Sequence, residues 1–151
     1  MTLDWQCKHF NELSAEEIYQ VLRLRIEVFI VEQNCPFQDA DNKDQQCYHL
    51  CGYHKGDLAA YVRIVPPGLS YKEPSIGRVV TSPAYRGTGA GKALMTKAIE
   101  VCSFIYHGMD IHIGAQLYLK KFYESLGFKQ CSDIYPEDGI EHIGMMRDAA
   151  Q

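Results

Sequence analysis

At 151 residues the chain is the length of one domain, enough to build a core without disulfide or metal staples. Its 46% hydrophobic and 23% charged residues exclude a disordered or collagen-like chain, and a net charge of −4 argues against a general nucleic-acid binder. No apolar run approaches the roughly 18 residues of a membrane span, and Met1-Thr2-Leu3-Asp4-Trp5-Gln6-Cys7 carries no basic-then-apolar leader pattern, so the cytoplasm is the expected compartment.

Taken in order, Ser14-Ala15-Glu16-Glu17 reads as a capping box with Ser14 as N-cap. Ile18, Val21, Leu22, Ile26 and Phe29 follow at helical spacing, predicting a helix to about Val28. Residues 35–44 are polar and unperiodic, a loop. Residues 47–53 and 58–65 read as strands joined at Lys55-Gly56-Asp57, a hairpin. Ile76 to Thr81 is a third strand, 90–106 a long amphipathic helix, and Met109–Gly114 another strand. Leu117–Leu126 is helical, stopped by Gly127 where a left-handed residue is needed. Phe128–Ile134 and Ile140–Arg147 read as closing strands. Residues 76–114 have the length of a right-handed βαβ unit, and with the early hairpin they predict an α/β fold (α+β) on a mixed sheet.

Six cysteines in a reducing compartment are expected to be free. Cys47-x-His49-x-Cys51-x-x-His54 offers four zinc-type ligands, but alternation crowds the first three on one strand face instead of spreading them over a tetrahedron. Buried thiols in a hairpin are the expected reading, with no metal. Asp39-x-Asp41-x-Lys43-Asp44 fails as a calcium loop, because lysine stands where an oxygen ligand is needed. It remains either a solvated loop or an acidic rim that attracts a cationic amine.

Between the third strand and the long helix lies Arg86-Gly87-Thr88-Gly89-Ala90-Gly91-Lys92. It fails the Walker A pattern at Arg86 and Ala93, and the dinucleotide fingerprint at Lys92. It fits [Q/R]-x-x-G-x-[G/A], read as Arg86-x-x-Gly89-x-Gly91. Glycines at a first helical turn let a pyrophosphate reach unpaired N–H groups, helped by the helix dipole. Arg86 can pair with a phosphate oxygen, and Lys92 adds a point charge. Otherwise the glycines merely make a tight turn.

This loop, the strand after the helix, and Phe122-Tyr123-Glu124-Ser125-Leu126-Gly127-Phe128 together resemble the acetyl-CoA-binding core of the GNAT superfamily of N-acetyltransferases. Leu24-Arg25, Val28 to Phe37, Asp41, Asp44, His49 and Glu137 to Met145 are similar to its ElaA-type branch. Phe37 departs from that branch, which often has tyrosine there. The resemblance implies one domain, residues 1–151, with parallel strands 76–81 and 109–114 splayed around the pantetheine arm. It implies that Val79, Val80 and Thr81 bond the arm through their backbone, with the Val80 amide polarising the thioester carbonyl. Residues 86–91 (Arg86, Gly87, Thr88, Gly89, Ala90, Gly91) would hold the pyrophosphate, and Lys92 stands beside them. The family's general acid corresponds to Tyr123, with Tyr118 a second candidate.

An amine must lose a proton before it attacks. Glu32 and His49 are the candidate bases or water relays, His49 because its unperturbed pKa lies near 6.5 and Glu32 because partial burial would raise its own. Arg25, Phe29, Asp41, Asp44 and His142 are candidate acceptor-side residues. The expected activity is direct acetyl transfer from acetyl-CoA to a small-molecule or peptide primary amine, with no nucleic acid or membrane partner. GNAT domains often pair, which allows a homodimer. A non-catalytic acyl-CoA-binding or sensing domain would keep the glycine loop without needing Tyr123. A zinc-dependent interaction module built on Cys47, His49, Cys51 and His54 is a third reading.

Overall fold

The structure of the chain is a computed structural model that describes residues 2–149. Strand β1 (Asp4–His9) pairs antiparallel with β2 (Tyr48–His54), which turns through Lys55 and Gly56 into β3 (Asp57–Val65). Both turn residues have positive φ, +49° and +86°, the conformation whose twist suits a two-residue hairpin. Strand β4 (Ser75–Thr81) completes the first sheet, ordered β1-β2-β3-β4. The second sheet joins β5 (Ile111–Gln116), β8 (Ile140–Arg147) and β6 (Phe128–Gln130), with β7 (Tyr135–Glu137) also paired to β8.

Among the described residues every ladder is antiparallel. The expected mixed sheet is therefore two antiparallel sheets that meet where β4 and β5 run side by side. Those strands begin together, with the N–H of His112 donating to the carbonyl of Pro74 at 3.0 Å. No ladder joins them beyond that point.

Helix α1 (Ala15–Arg25) starts at the Ser14 capping box, where Ser14 Oγ accepts from Glu17 N–H and Glu17 reaches back to Ser14 N–H. The chain then widens into π-type turns over residues 26–32, marked by bonds five residues apart from Gln33 N–H to Val28 O and Cys35 N–H to Ile30 O. Such turns are rare and concentrate at functional sites. Helix α2 (Ala90–Ile105) buries Leu94, Met95, Ala98 and Cys102 against Leu50, Val62 and Ile64 of the first sheet and Ile111, Ile113 and Ala115 of the second. On the opposite face Val21, Leu24 and Val28 cover Cys51, Tyr61 and Val80. Sheet one is thus a buried middle layer. Strand β1 escaped the sequence reading, because its six residues are half-buried and only pairing with β2 defines it. The strand expected over 128–134 stops at Gln130, and β7 is an addition. No described helix is long and apolar enough to cross a membrane.

The cysteines are free. Among the described residues no group of three His, Cys, Asp or Glu side chains could hold a metal ion. His49 is instead engaged by Tyr61 and Asp44, and Cys47 Sγ by the carbonyl of Lys43.

Candidate active site

As β4 and β5 diverge they open a cleft of about 550 Å³. One wall is β4 with the 28–37 segment; the other is β5, Tyr118, Tyr123 and the β7–β8 hairpin. Strand β4 does not run regularly along its wall. Its register against β3 shifts between the Tyr61–Val80 and Arg63–Gly77 pairs, and Arg78 sits there at φ +51°. This is a β-bulge, which re-aims the backbone beside a site.

Beyond the bulge the N–H directions can be assigned. Ser82 N–H donates to Ala59 O at 2.8 Å. That makes Ala60–Thr81 a non-hydrogen-bonded pair and Tyr61–Val80 a hydrogen-bonded one. The N–H of Val80 is therefore taken by Tyr61, and the expectation that it polarises a thioester is corrected. Thr81, in the non-hydrogen-bonded pair, turns its N–H toward the cleft, and Val79 at the bulge lines the same cleft.

At the far end of β4 a single turn, Pro83–Tyr85, leads into the glycine loop. Gly87 and Gly89 have φ of +76° and +83°, and a Cβ on either would meet nothing within 4 Å. Conformation requires these glycines, and the space over them is open. The N–H groups at the start of α2 have no intrahelical acceptor, and Gly91 leaves room above Thr81 Oγ1, 3.7 Å from where its Cβ would stand. Thr88 Oγ1 donates to Tyr85 O, and Lys92 is exposed. Open glycines, free N–H groups and nearby cations fit a diphosphate. Arg86 is paired with Glu32 through two bonds of 2.5 and 2.6 Å at the cleft mouth.

That pair overturns one candidate base. Hydrogen bonding from Arg86 holds the Glu32 carboxyl below its ordinary range, against the expectation that burial raises it. Glu32 is also exposed. His49 is excluded differently: it is 2% exposed, its Nδ1 shares a 2.6 Å bond with Tyr61 Oη, its Nε2 lies 2.9 Å from Asp44 O, and it does not line the cleft. Burial pushes its pKa down.

The acidic loop is neither a solvated surface nor a rim. Arg25, with no exposed surface, donates to Asp39 and Asp44 at 2.9 Å each. Arg63 donates to Asp41 and Asp44, and Arg78 to Asp39 and Asp41. Burial opposes ionisation of Asp41 and Asp44, but the guanidinium partners outweigh it and hold both carboxyls below their ordinary range. Arg25, Asp41 and Asp44 are thus corrected from acceptor contacts to members of an internal ion network. Its output is Arg78, whose guanidinium also lies 5.5 Å from the Phe37 ring. The network braces the bulge at its left-handed residue.

Tyr123 is 5% exposed, packs edge-on to Phe122 and Phe128, and lines the cleft. Burial, with Tyr118 adding to it, pushes its pKa up to about 12, so it carries its proton at neutral pH. Tyr118 is 75% exposed at the mouth. Phe29 and His142 both line the cleft. Sequence reasoning gave no role to Arg78 or Glu137 and read Asp39 only as part of a solvated loop or acidic rim. Arg78 and Asp39 meet across 39 positions, and Glu137 gains its place from the turn at Asp138 and Gly139, both at positive φ.

The sequence model of an acetyltransferase (GNAT) domain matches residues 11–149. The chain belongs to the GNAT acetyltransferase family. Within that family it is similar to protein ElaA of Escherichia coli K12, 42% identical over 151 residues and 99% of each chain. The crystal structure of Escherichia coli ElaA superposes with a TM-score of 0.91 at 41% identity, over 97% of this chain and 100% of that one. An acyl-CoA N-acyltransferase from Pseudomonas aeruginosa gives 0.93 at 40%, over 97% and 99%. The splayed strands, bulge and glycine loop are thus this GNAT chain's version of a shared acyl-CoA N-acyltransferase fold.

Proposed function

We propose that the chain moves the acetyl group of acetyl-CoA directly to a primary amine, both bound at once in the β4–β5 cleft. The observation that carries this reading is a cleft that reaches Thr81 and Arg86 beside the open glycine loop, with β4 on one wall and a protonated tyrosine on the other. The N–H groups at 87–91 and the helix dipole hold the diphosphate. Arg86 exchanges Glu32 for a phosphate oxygen. Val79 and Thr81 bond the pantetheine arm as a further strand would.

Acetyl-CoA supplies an activated thioester. We assign the donor to the carbonyl oxygen to a backbone N–H at the bulge, that of Val79, and in other enzymes one such donor contributes about 2.7–4 kcal/mol. Tyr123 delivers its proton to the departing sulfur, and the hydrophobic wall of Phe29 and Ile113 keeps water from competing.

The test is calorimetric titration with acetyl-CoA, ATP and NAD, followed by thiol release across a panel of amines. Acetyl-CoA binding with amine-dependent thiol release supports the reading. Binding without release from any amine would instead favour a sensing domain, and no preference for acetyl-CoA over ATP would refute the phosphate assignment.

A further inference from the structure

His142 projects from β8 into the cleft with only 7% of its surface exposed. Its Nδ1 lies 2.8 Å from the carbonyl of Ile140, a group that only accepts, so Nδ1 carries the hydrogen. In the neutral ring that leaves a lone pair on Nε2. Nε2 faces Glu137 Oε2 at 3.4 Å, and the carboxylate also only accepts. The contact needs a hydrogen between the two atoms, supplied either by a second proton on the imidazole or by a donor bound against both. The Tyr135 ring, stacked on His142 with centroids 5.9 Å apart, fixes the plane of the imidazole. Asp138 and Glu32 add carboxylates to the same cleft.

From this geometry we propose that His142 and Glu137 form the receptor and base for a cationic primary amine. The inference rests on the acetyltransferase reading and names the acceptor class for that site. The ammonium places an N–H between Nε2 and Oε2. His142 Nε2 takes that proton and frees the nitrogen lone pair, while Glu137 stabilises the imidazolium and passes the proton to solvent. The amine then forms its bond to the acetyl carbon. The C–S bond breaks with its electron pair on sulfur, which takes the Tyr123 proton. The remaining excess proton on nitrogen replaces the one that Tyr123 gave up. One proton is released per turnover, as the balance of ammonium plus thioester to amide plus thiol requires.

The test compares two nucleophiles. Propylamine is ionised at neutral pH, as a lysine is with its pKa near 10.4, whereas O-methylhydroxylamine is neutral there and needs no base to free its lone pair. His142→Gln should lower kcat/KM for propylamine roughly 10²–10⁴-fold, the range of general base catalysis, and leave O-methylhydroxylamine near its wild-type rate. The exposed Glu137→Gln, which places no demand on folding, should show the same selectivity at smaller amplitude. Independently of turnover, titration of the unliganded protein with 1,4-diaminobutane, followed by ¹⁵N NMR of the imidazoles, should shift His142 Nε2 in wild type and not in Glu137→Gln. An equal loss for both nucleophiles, or an unmoved His142 resonance, would overturn the assignment. Should wild type bind acetyl-CoA but acetylate neither amine, the transfer reading falls, and the NMR titration still decides whether the pair binds an amine.

Discussion

The two ends of the cleft are built in opposite ways. Beside the mouth lie consecutive residues, 86–91, which offer backbone N–H donors at a helix start entered through two left-handed glycines. Behind the inner wall lie side chains brought from distant segments, Arg25 from α1, Asp39 to Asp44 from a loop and Arg63 from β3, and of the network Arg78 from β4 lines the cleft. On the acetyl-CoA reading, affinity at the mouth would come chiefly from backbone donors at the start of α2. Behind the inner wall the carboxylates and guanidinium groups of the network are bonded to one another, and what reaches the cleft is Arg78 and the bulge it braces.

That contrast can be broken experimentally. Tyr123→Phe removes a proton donor while keeping the ring against Phe122 and Phe128. Its kcat should fall roughly 10²–10⁴-fold with melting temperature and acetyl-CoA affinity unchanged, as steady-state kinetics and thermal scans would show. Arg25→Met should do the reverse. It removes one of the two arginines bonded to each of Asp39 and Asp44 and leaves Arg78 and Arg63 in place, so denaturant titration should show a loss smaller than the about 3–5 kcal/mol that follows when a buried ion loses its only partner.

Acid should separate the two ends in the same way. Asp41 and Asp44 have folded pKa values below the unfolded reference near 3.9. Their contribution to stability is therefore complete above that reference and lost as pH falls through their folded values. Urea melts between pH 6 and pH 2 should show stability dropping below about pH 4, and Asp41→Asn should flatten that drop. The acceptor KM should stay where it is, because Asp41 holds arginines and not substrate.

Gly89→Val tests the mouth. At φ +83° a β-branched residue costs about 1–2 kcal/mol of backbone strain, and acetyl-CoA affinity should fall on the order of tenfold in calorimetry. The smallest effect belongs to Glu32→Gln. Its partner Arg86 is at the surface, so the melting temperature should not move, and acetyl-CoA should bind slightly more tightly once Arg86 has lost its competitor.

Legibility in the sequence followed the same divide. The capping box at Ser14, the hairpin at Lys55-Gly56, helix α2 and the glycine loop are all set by neighbours within a few positions. They were found where expected. The role of the 39–44 loop was not readable, because acidic residues spaced along a loop look the same whether they face water or three arginines from other elements. Glu32 misled for a related reason: its neighbours in sequence are apolar, while its partner Arg86 lies 54 positions away. His49 carried a suitable intrinsic chemistry, and burial on a middle strand removed it from use.

The divergence of β4 and β5 from the single bond between His112 and Pro74 has a mechanical side. The two sheets form the arms of a tuning fork, joined at its base and cushioned behind by α2. By lever geometry a rotation at the base would become a larger displacement at the tips, where Tyr118 and Arg86 stand. Glu73 and Tyr71, set against the His112 ring at the base, are thus where a substitution would reach the aperture without touching an incoming arm.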